Sequence, residues 1–245
     1  MRPTNLLVVL IPIFYGLGTP LFKEKYRILK ENPIYLVLAV LGAFIIGFPQ
    51  LLYWKLNTGQ WLFFSYTGER FFWDRPVINY FLFSYRKGWL VYSPILVFAL
   101  VGLFYMKNKL KAYLFPTLFI LPIIIYLLSC WWSWWFGGGF GSRPMVDWYA
   151  LLMFPFAAML YAIFKLHWSI RLSAMALIGI FIALSWHQHW QYRIGMLHFD
   201  SMSKAAYKGI FLKTEFPTNL DEMLDTPAYG AAIKGKKEKV ETIFD

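Results

Sequence analysis

Arg143 and Asp147 are the only charges in a stretch from Cys130 to Asp147 that also holds four tryptophans and four glycines between two long apolar runs. Tryptophan is favoured where hydrocarbon meets headgroups, because the indole is apolar with one N–H that wants a partner. The glycines let the backbone fold tightly and approach a ligand closely. Gly137, Gly138, Gly139 and Gly141 just before Arg143 therefore suggest a grip on an anionic, membrane-borne group, with a bidentate guanidinium assisted by backbone N–H groups. A plain interfacial anchor, in which Arg143 pairs with Asp147 and reaches headgroups, is the alternative. The cost of placing both charges in a membrane-facing loop favours a functional role.

Glu69, Arg70, Asp74 and Arg75 form a second charged cluster. A carboxylate there can accept a proton from an acceptor hydroxyl. The competing expectation is a set of salt bridges and helix caps that pins interfacial helices. His187, His189, His198 and Asp200 supply nitrogen and oxygen ligand types, but their spacing matches no zinc signature, and an interfacial aromatic–histidine belt is expected instead. No phosphate-binding lysine loop, Gly-x-Ser-x-Gly, His-Glu-x-x-His or Cys-x-x-Cys motif occurs, which argues against a nucleotide-driven pump, a serine hydrolase and a zinc protease. The apolar segments hold almost no ionisable residues, which argues against a proton-coupled transporter. Cys130 is the single cysteine, so no internal disulfide forms.

These groups must be held by membrane helices. The 245 residues are 59% hydrophobic and 15% charged, outside the range of a soluble domain. Apolar segments of about 18 or more residues cross roughly 30 Å of hydrocarbon. Six are expected, near 5–22, 33–54, 89–106, 112–130, 148–166 and 169–186, in an all-α polytopic protein. The first contains Pro12, Gly16, Gly18 and Pro20, which membrane helices tolerate when neighbours satisfy the freed backbone groups. No cleavable signal peptide is read. Loop 55–88 is apolar without reaching spanning length and predicts short interfacial helices, with turns at Asn57–Gly59 and Thr67–Gly68 and a helix over 76–84 with Asp74 near its N-cap. With 131–147 it makes an amphipathic roof over one face of the bundle.

The tail, 187–245, carries eight Lys/Arg and eight Asp/Glu, so the net charge of +11 belongs to the membrane part, and nucleic acid is not an expected partner. Three short loops carry Lys23, Lys25, Arg27 and Lys30, then Lys107, Lys109 and Lys111, then Lys165 and Arg171. The positive-inside bias places these in the cytoplasm and puts loops 55–88 and 131–147 and the tail on the extracytoplasmic side. Helix-like spacing is read between 200 and 212 and again around 219–225, and 234–240 reads as a solvated, frayed terminus.

Three linked segments carry a resemblance: Asn57-Thr-Gly-Gln-Trp-Leu-Phe-Phe-Ser-Tyr-Thr-Gly-Glu-Arg-Phe71, Leu82-Phe-Ser-Tyr-Arg-Lys-Gly-Trp-Leu-Val-Tyr-Ser-Pro94 and Trp134-Trp-Phe-Gly-Gly-Gly-Phe-Gly-Ser-Arg143. In this order they resemble the second half of bacterial GT-C-type membrane glycosyltransferases related to protein O-mannosyltransferases. The tail motif Tyr192-Arg-Ile-Gly-Met-Leu-His-Phe-Asp-Ser-Met202 is similar to those of such proteins from the Bacteroidetes. The resemblance implies an inner-membrane enzyme that passes a sugar from a polyprenyl-phosphate donor to an extracytoplasmic glycan, lipid or protein. In that reading Arg143 neutralises the donor phosphate. Tyr66, Trp134, Trp135, Arg70 and Arg75 line the substrate site with Gly138, Gly139 and Gly141, and Asp147, Glu69 and Asp74 are the candidate bases. A divalent cation is compatible with these residues and not required by them. The superfamily's catalytic carboxylate, in a first extracytoplasmic loop, has no equivalent here, so the chain is expected to be the C-terminal part of a longer enzyme. A non-catalytic assembly subunit and a lipid-binding or flippase-like protein are the alternatives.

Overall fold

The computed structural model describes residues 3–64, 66, 68–236 and 238–245. Thr67, of the turn expected at 67–68, and the side chain of Lys109 lie outside the described residues. The architecture is all-helical, and among the described residues β pairing is confined to two isolated bridges, Phe71 with Trp131 and Ser84 with Thr242. Among the described residues four helical stretches are long and apolar enough to cross a membrane: Ile34–Thr58, Leu110–Ser129, Arg143–Phe164 and Trp168–Arg193. They overlap the segments expected near 33–54, 112–130, 148–166 and 169–186.

The other two expected spans are broken, each for a legible reason. In 5–22 a 3-10 turn, Pro3–Val9, runs into α1 (Leu10–Phe14), and the chain then stops before α2 (Pro20–Glu31). Gly16 and Gly18 adopt φ of +79° and +74°, a left-handed backbone no helix continues through. The carbonyls freed by the break are taken up by Lys25, whose Nζ donates to the oxygens of Pro12, Ile13 and Tyr15 at 2.9, 3.0 and 2.9 Å. In 89–106, Pro94 separates α5 (Trp89–Tyr92) from α6 (Leu96–Gly102) and the 3-10 turn Leu103–Tyr105. The continuous part, Leu96–Tyr105, reaches only about 15 Å at a helical rise of ~1.5 Å per residue, half of a bilayer core.

The bundle's centre is α6 against α8 (Tyr149–Phe164), with α7 (Leu114–Ser129) beside α1 and α4 (Ile78–Phe83). Gly102 permits the closest crossing: a Cβ there would lie 1.9 Å from the Pro155 oxygen. Phe81, Trp89, Leu96, Ile120, Ile124, Trp135, Met145 and Leu152 fill the core around this crossing. By contrast α3 (Ile34–Thr58) has no buried residue, and α9 (Trp168–Arg193) buries little beyond Ile178, Gln188 and Gln191. Gly59, at φ +75°, ends α3 as its left-handed cap, so the turn expected at 57–59 is a helix terminus.

Loops gather at two ends. At one, the Gly16 N–H donates to Ala112 O at 2.9 Å, and Tyr105, Lys107, Tyr161 and Lys165 line a common hollow, which brings the basic loops together. At the other, the Phe72 and Val77 N–H groups donate to Cys130 O and Ser129 O at 2.7 and 3.2 Å, and the Trp132 N–H to Arg70 O at 3.3 Å. Loops 55–88 and 131–147 thus meet over one end of the bundle. Asp74 caps no helix: α4 starts at Ile78 after Val77, and Asp74 is drawn instead to its neighbour Arg75, at 2.9 Å.

The tail holds α10 (Lys204–Ile210), capped by the Ser203 hydroxyl, with α11 (Leu220–Met223) and α12 (Tyr229–Ala232). In the segment read as solvated and frayed, 234–240, Lys234, Lys236 and Lys239 are exposed, but the end that follows is docked. Val240 and Thr242 are buried, and the Tyr85 N–H donates to Glu241 O at 3.1 Å. The reason is Arg86, whose fully buried guanidinium reaches Glu238 and Asp225, each at 2.8 Å, and clamps the tail to the loop before α5.

Candidate functional site

The roof encloses a cleft of about 430 Å³ lined by aromatic side chains, among them Tyr66, Trp131, Trp132 and Phe136, with Glu69, Gly137 and Arg143. Two of the residues singled out from separate motifs, Glu69 and Arg143, are therefore brought into one hollow. The Phe71–Trp131 bridge and the Trp132–Arg70 backbone bond lay strand-like segments side by side, and alternation along them aims Glu69 at the neighbouring indole. Glu69 is half-buried and its Oε2 accepts the Trp132 Nε1–H at 2.6 Å, which orients the carboxylate. Tyr66 meets Trp131 edge-on with ring centres 5.8 Å apart.

Arg143 is exposed, starts the 3-10 turn Arg143–Trp148 that leads into α8, and makes no hydrogen bond or ion pair through its guanidinium among the described residues. Its aliphatic stem lies across Gly139, where a Cβ would come 2.9 Å from Arg143 Cδ. Gly141, at φ +51°, presses on Tyr92 in the same way, so the loop uses its glycines both for backbone sign and for close approach. Gly138, at φ +79°, is exposed with open space above it.

The remaining candidates lie elsewhere. Asp147 is exposed one turn beyond Arg143 and does not line the cleft. Arg70 lays its guanidinium 4.8 Å over the Phe72 ring and borders a neighbouring hollow with Gly68 and Lys234. Asp74 and Arg75 are exposed and paired, and Arg75 also donates to Gly235 O at 3.2 Å, so this pair straps the roof to the tail. Trp134 and Trp135 are buried and line a separate hollow with Arg75 and Glu238, and the indoles that face the cleft are Trp131 and Trp132.

What the residue patterns did not disclose is a buried polar group under the glycine loop. Lys87 is 1% exposed and its Nζ donates to Gly139 O. Burial pushes its ammonium down to about 8, with the charge of Asp200 opposing the shift and that of Arg143 adding to it. Asp200 is also buried. Its Oδ1 takes the Ser201 hydroxyl at 2.7 Å and lies 3.2 Å from His198 Nδ1, and its Oδ2 accepts the Tyr229 hydroxyl. Burial, and then the bond to Asp200, push the Tyr229 phenol up. A Cβ on Gly137 would touch both Asp200 Cβ and, at 3.8 Å, the Tyr229 hydroxyl, so the tail supports the loop from below. The available signal was Arg86-Lys87 beside an aromatic run, but a lysine in a loop reads as solvated until a distant carboxylate is folded against it.

His187 and His189 stand on α9 beside Trp190 and Phe140, with ring centres 5.6 and 5.7 Å apart, as an aromatic–histidine belt would. Among the described residues no three His, Cys, Asp or Glu side chains gather in a metal-binding group. Among the described residues the cleft offers one oriented carboxylate, one guanidinium with unused donors and aromatic walls. Comparison of the chain with protein-family models, with curated proteins and with solved structures finds no match.

Proposed function

We propose that this chain belongs to a membrane-embedded glycosyltransferase that moves a sugar from a polyprenyl-phosphate donor to an extracytoplasmic acceptor. The observation that carries the reading is the shared cleft of Glu69 and Arg143, walled by Tyr66, Trp131, Trp132 and Phe136. Arg143 binds the donor phosphate and stabilises the charge that grows on it as the sugar leaves. Glu69, oriented by Trp132, takes the proton of the acceptor hydroxyl. The aromatic walls hold the sugar between them.

In this reading the protein sits in a bacterial inner membrane, with the roof and tail on the extracytoplasmic face and the basic loops in the cytoplasm. The two shorter apolar helices, Thr4–Phe14 and Leu96–Tyr105, complete six crossings as broken spans, tolerated because α7 and α8 cover them. A second reading, a non-catalytic assembly subunit, is favoured by α3, a 25-residue apolar helix without a buried residue.

Sugar transfer from a panel of polyprenyl-phosphate hexoses, measured in proteoliposomes containing the full-length protein, separates the two. Arg143→Ala should lower kcat/KM on the order of 100-fold or more, and Glu69→Gln should lower kcat with little change in KM. Folded Arg143→Ala protein that retains full transfer would sink the proposal.

A further inference from the structure

We infer that Lys87 is the second cation of the phosphate site: a positioning residue that holds the glycine loop from beneath through Gly139 and supplies the charge that Arg143 alone lacks. The inference rests on the polyprenyl-phosphate reading above and goes beyond it, because Lys87 does not itself line the cleft. The geometry runs through one residue. Gly139 is buried, its oxygen accepts the Lys87 ammonium, and the Arg143 stem crosses its other face, where a side chain would collide with Cδ and Cβ at 2.9 and 3.1 Å. Lys87 thereby fixes the height of the loop on which Arg143 rests.

The loop itself is prepared for an anion. Among the described residues the N–H groups of 137–142 donate to no protein acceptor, and the buried Ser142 hydroxyl has no partner. Facing Lys87 are Asp200 from the tail, Arg143 from the start of the helix leading into α8, and the Tyr192 ring of α9, whose centre lies 5.9 Å from Nζ. Ser84 Oγ accepts the backbone N–H of Lys87 at 3.3 Å, and the neighbouring Arg86 is already committed to Asp225 and Glu238. Asp200 in turn accepts the Ser201 and Tyr229 hydroxyls. A carboxylate divided between two donors offsets the burial of the lysine only in part, and Arg143 opposes it. Lys87 is consequently held in the free protein at about 8, where it loses its proton just above neutral pH. An anion at Arg143 reverses that balance, so donor binding takes up a proton from solvent at Lys87 Nζ.

The test is binding of undecaprenyl phosphate to the full-length protein in nanodiscs, followed by tryptophan fluorescence from pH 7.5 to 9.5. A phosphate monoester completes its second ionisation near pH ~6 and arginine does not titrate, so neither contributes to a change in this window. Affinity of the unsubstituted protein should fall about tenfold across it, as the free protein loses the proton that binding must restore. Lys87→Arg should flatten the profile, and Lys87→Met should bind about tenfold more weakly at pH 7.5 with no further loss on raising the pH. An affinity of the unsubstituted protein that is flat with pH overturns the inference and needs no variant to fold. If Arg143→Ala is deficient in that same experiment, the phosphate reading survives without Lys87. If Arg143→Ala binds as well as the unsubstituted protein, the reading and the inference both fall.

Discussion

Arg86→Met tests the attachment of the tail, on which the underside of the glycine loop depends. The guanidinium is fully buried and makes four hydrogen bonds: Nη1 to Glu238 Oε2 at 2.8 Å, and Nη2 to Asp225 Oδ2, Asp225 O and Glu238 Oε1 at 2.8, 3.0 and 3.3 Å. Methionine fills much of the same volume and leaves no buried charge behind. The orphaned carboxylates recover water, since Asp225 is 50% and Glu238 26% exposed at the side chain. The cost therefore lies at the low end of the range for breaking a buried pair, about 3 kcal/mol. Removing a carboxylate strands the arginine instead, and Glu238→Gln should cost more than Asp225→Asn because Glu238 is the more buried and takes two bonds. The assay is amide hydrogen exchange in nanodiscs, read at Tyr85, which donates to Glu241 O, and at Ile243, which donates to Phe83 O. A loss of about 3 kcal/mol raises exchange at both roughly 100-fold if the tail opens as one unit. Exchange at Ile243 that changes by under about threefold in Arg86→Met would refute the clamp.

Two further outcomes follow from burial and contact. Because the folded Lys87 titrates at about 8, below the 10.5 of an unhindered lysine, the unfolded chain binds more protons between these values. Stability should therefore rise by about 3 kcal/mol as pH climbs from 8 to 10.5, and be lost again as pH falls through 8. Thermal unfolding of the detergent-solubilised protein at several pH values checks this, and a rise that persists in Lys87→Met would assign it to another group. Gly102→Ala would place a methyl 1.9 Å from Pro155 O, so α6 and α8 must separate. Destabilisation of about 1–3 kcal/mol is expected, measured as a lowered unfolding midpoint, and an unchanged midpoint would mean that the crossing is looser than described.

The long apolar runs were legible because a span needs only length and composition, which is why 33–54, 112–130, 148–166 and 169–186 coincide with continuous helices. The two broken segments carried their own warnings in Pro12, Gly16, Gly18 and Pro94. What composition could not express was that Lys25 would satisfy the carbonyls freed at the first break. The tail helices at 204–210 and 220–223 were likewise readable within the segments 200–212 and 219–225, although the Ser203 cap was not. Its terminus was misjudged because a lysine-rich stretch looks solvated, and nothing local says that Arg86 will hold Glu238 beside it.

Local sequence thus determined where the chain is apolar enough to span and where glycine and proline interrupt it, and it singled out the Trp-Gly loop ending in Arg143. Those properties depend on neighbouring residues alone. Tertiary structure decided which charges act together. It put Glu69 and Arg143 in one cleft, left Asp74 paired with Arg75 outside it, and buried Lys87 under Gly139 within reach of the charge of Asp200. Desolvation and Coulomb interaction depend on distance through space, and residues 87, 139 and 200 become neighbours only when the helices between them have packed.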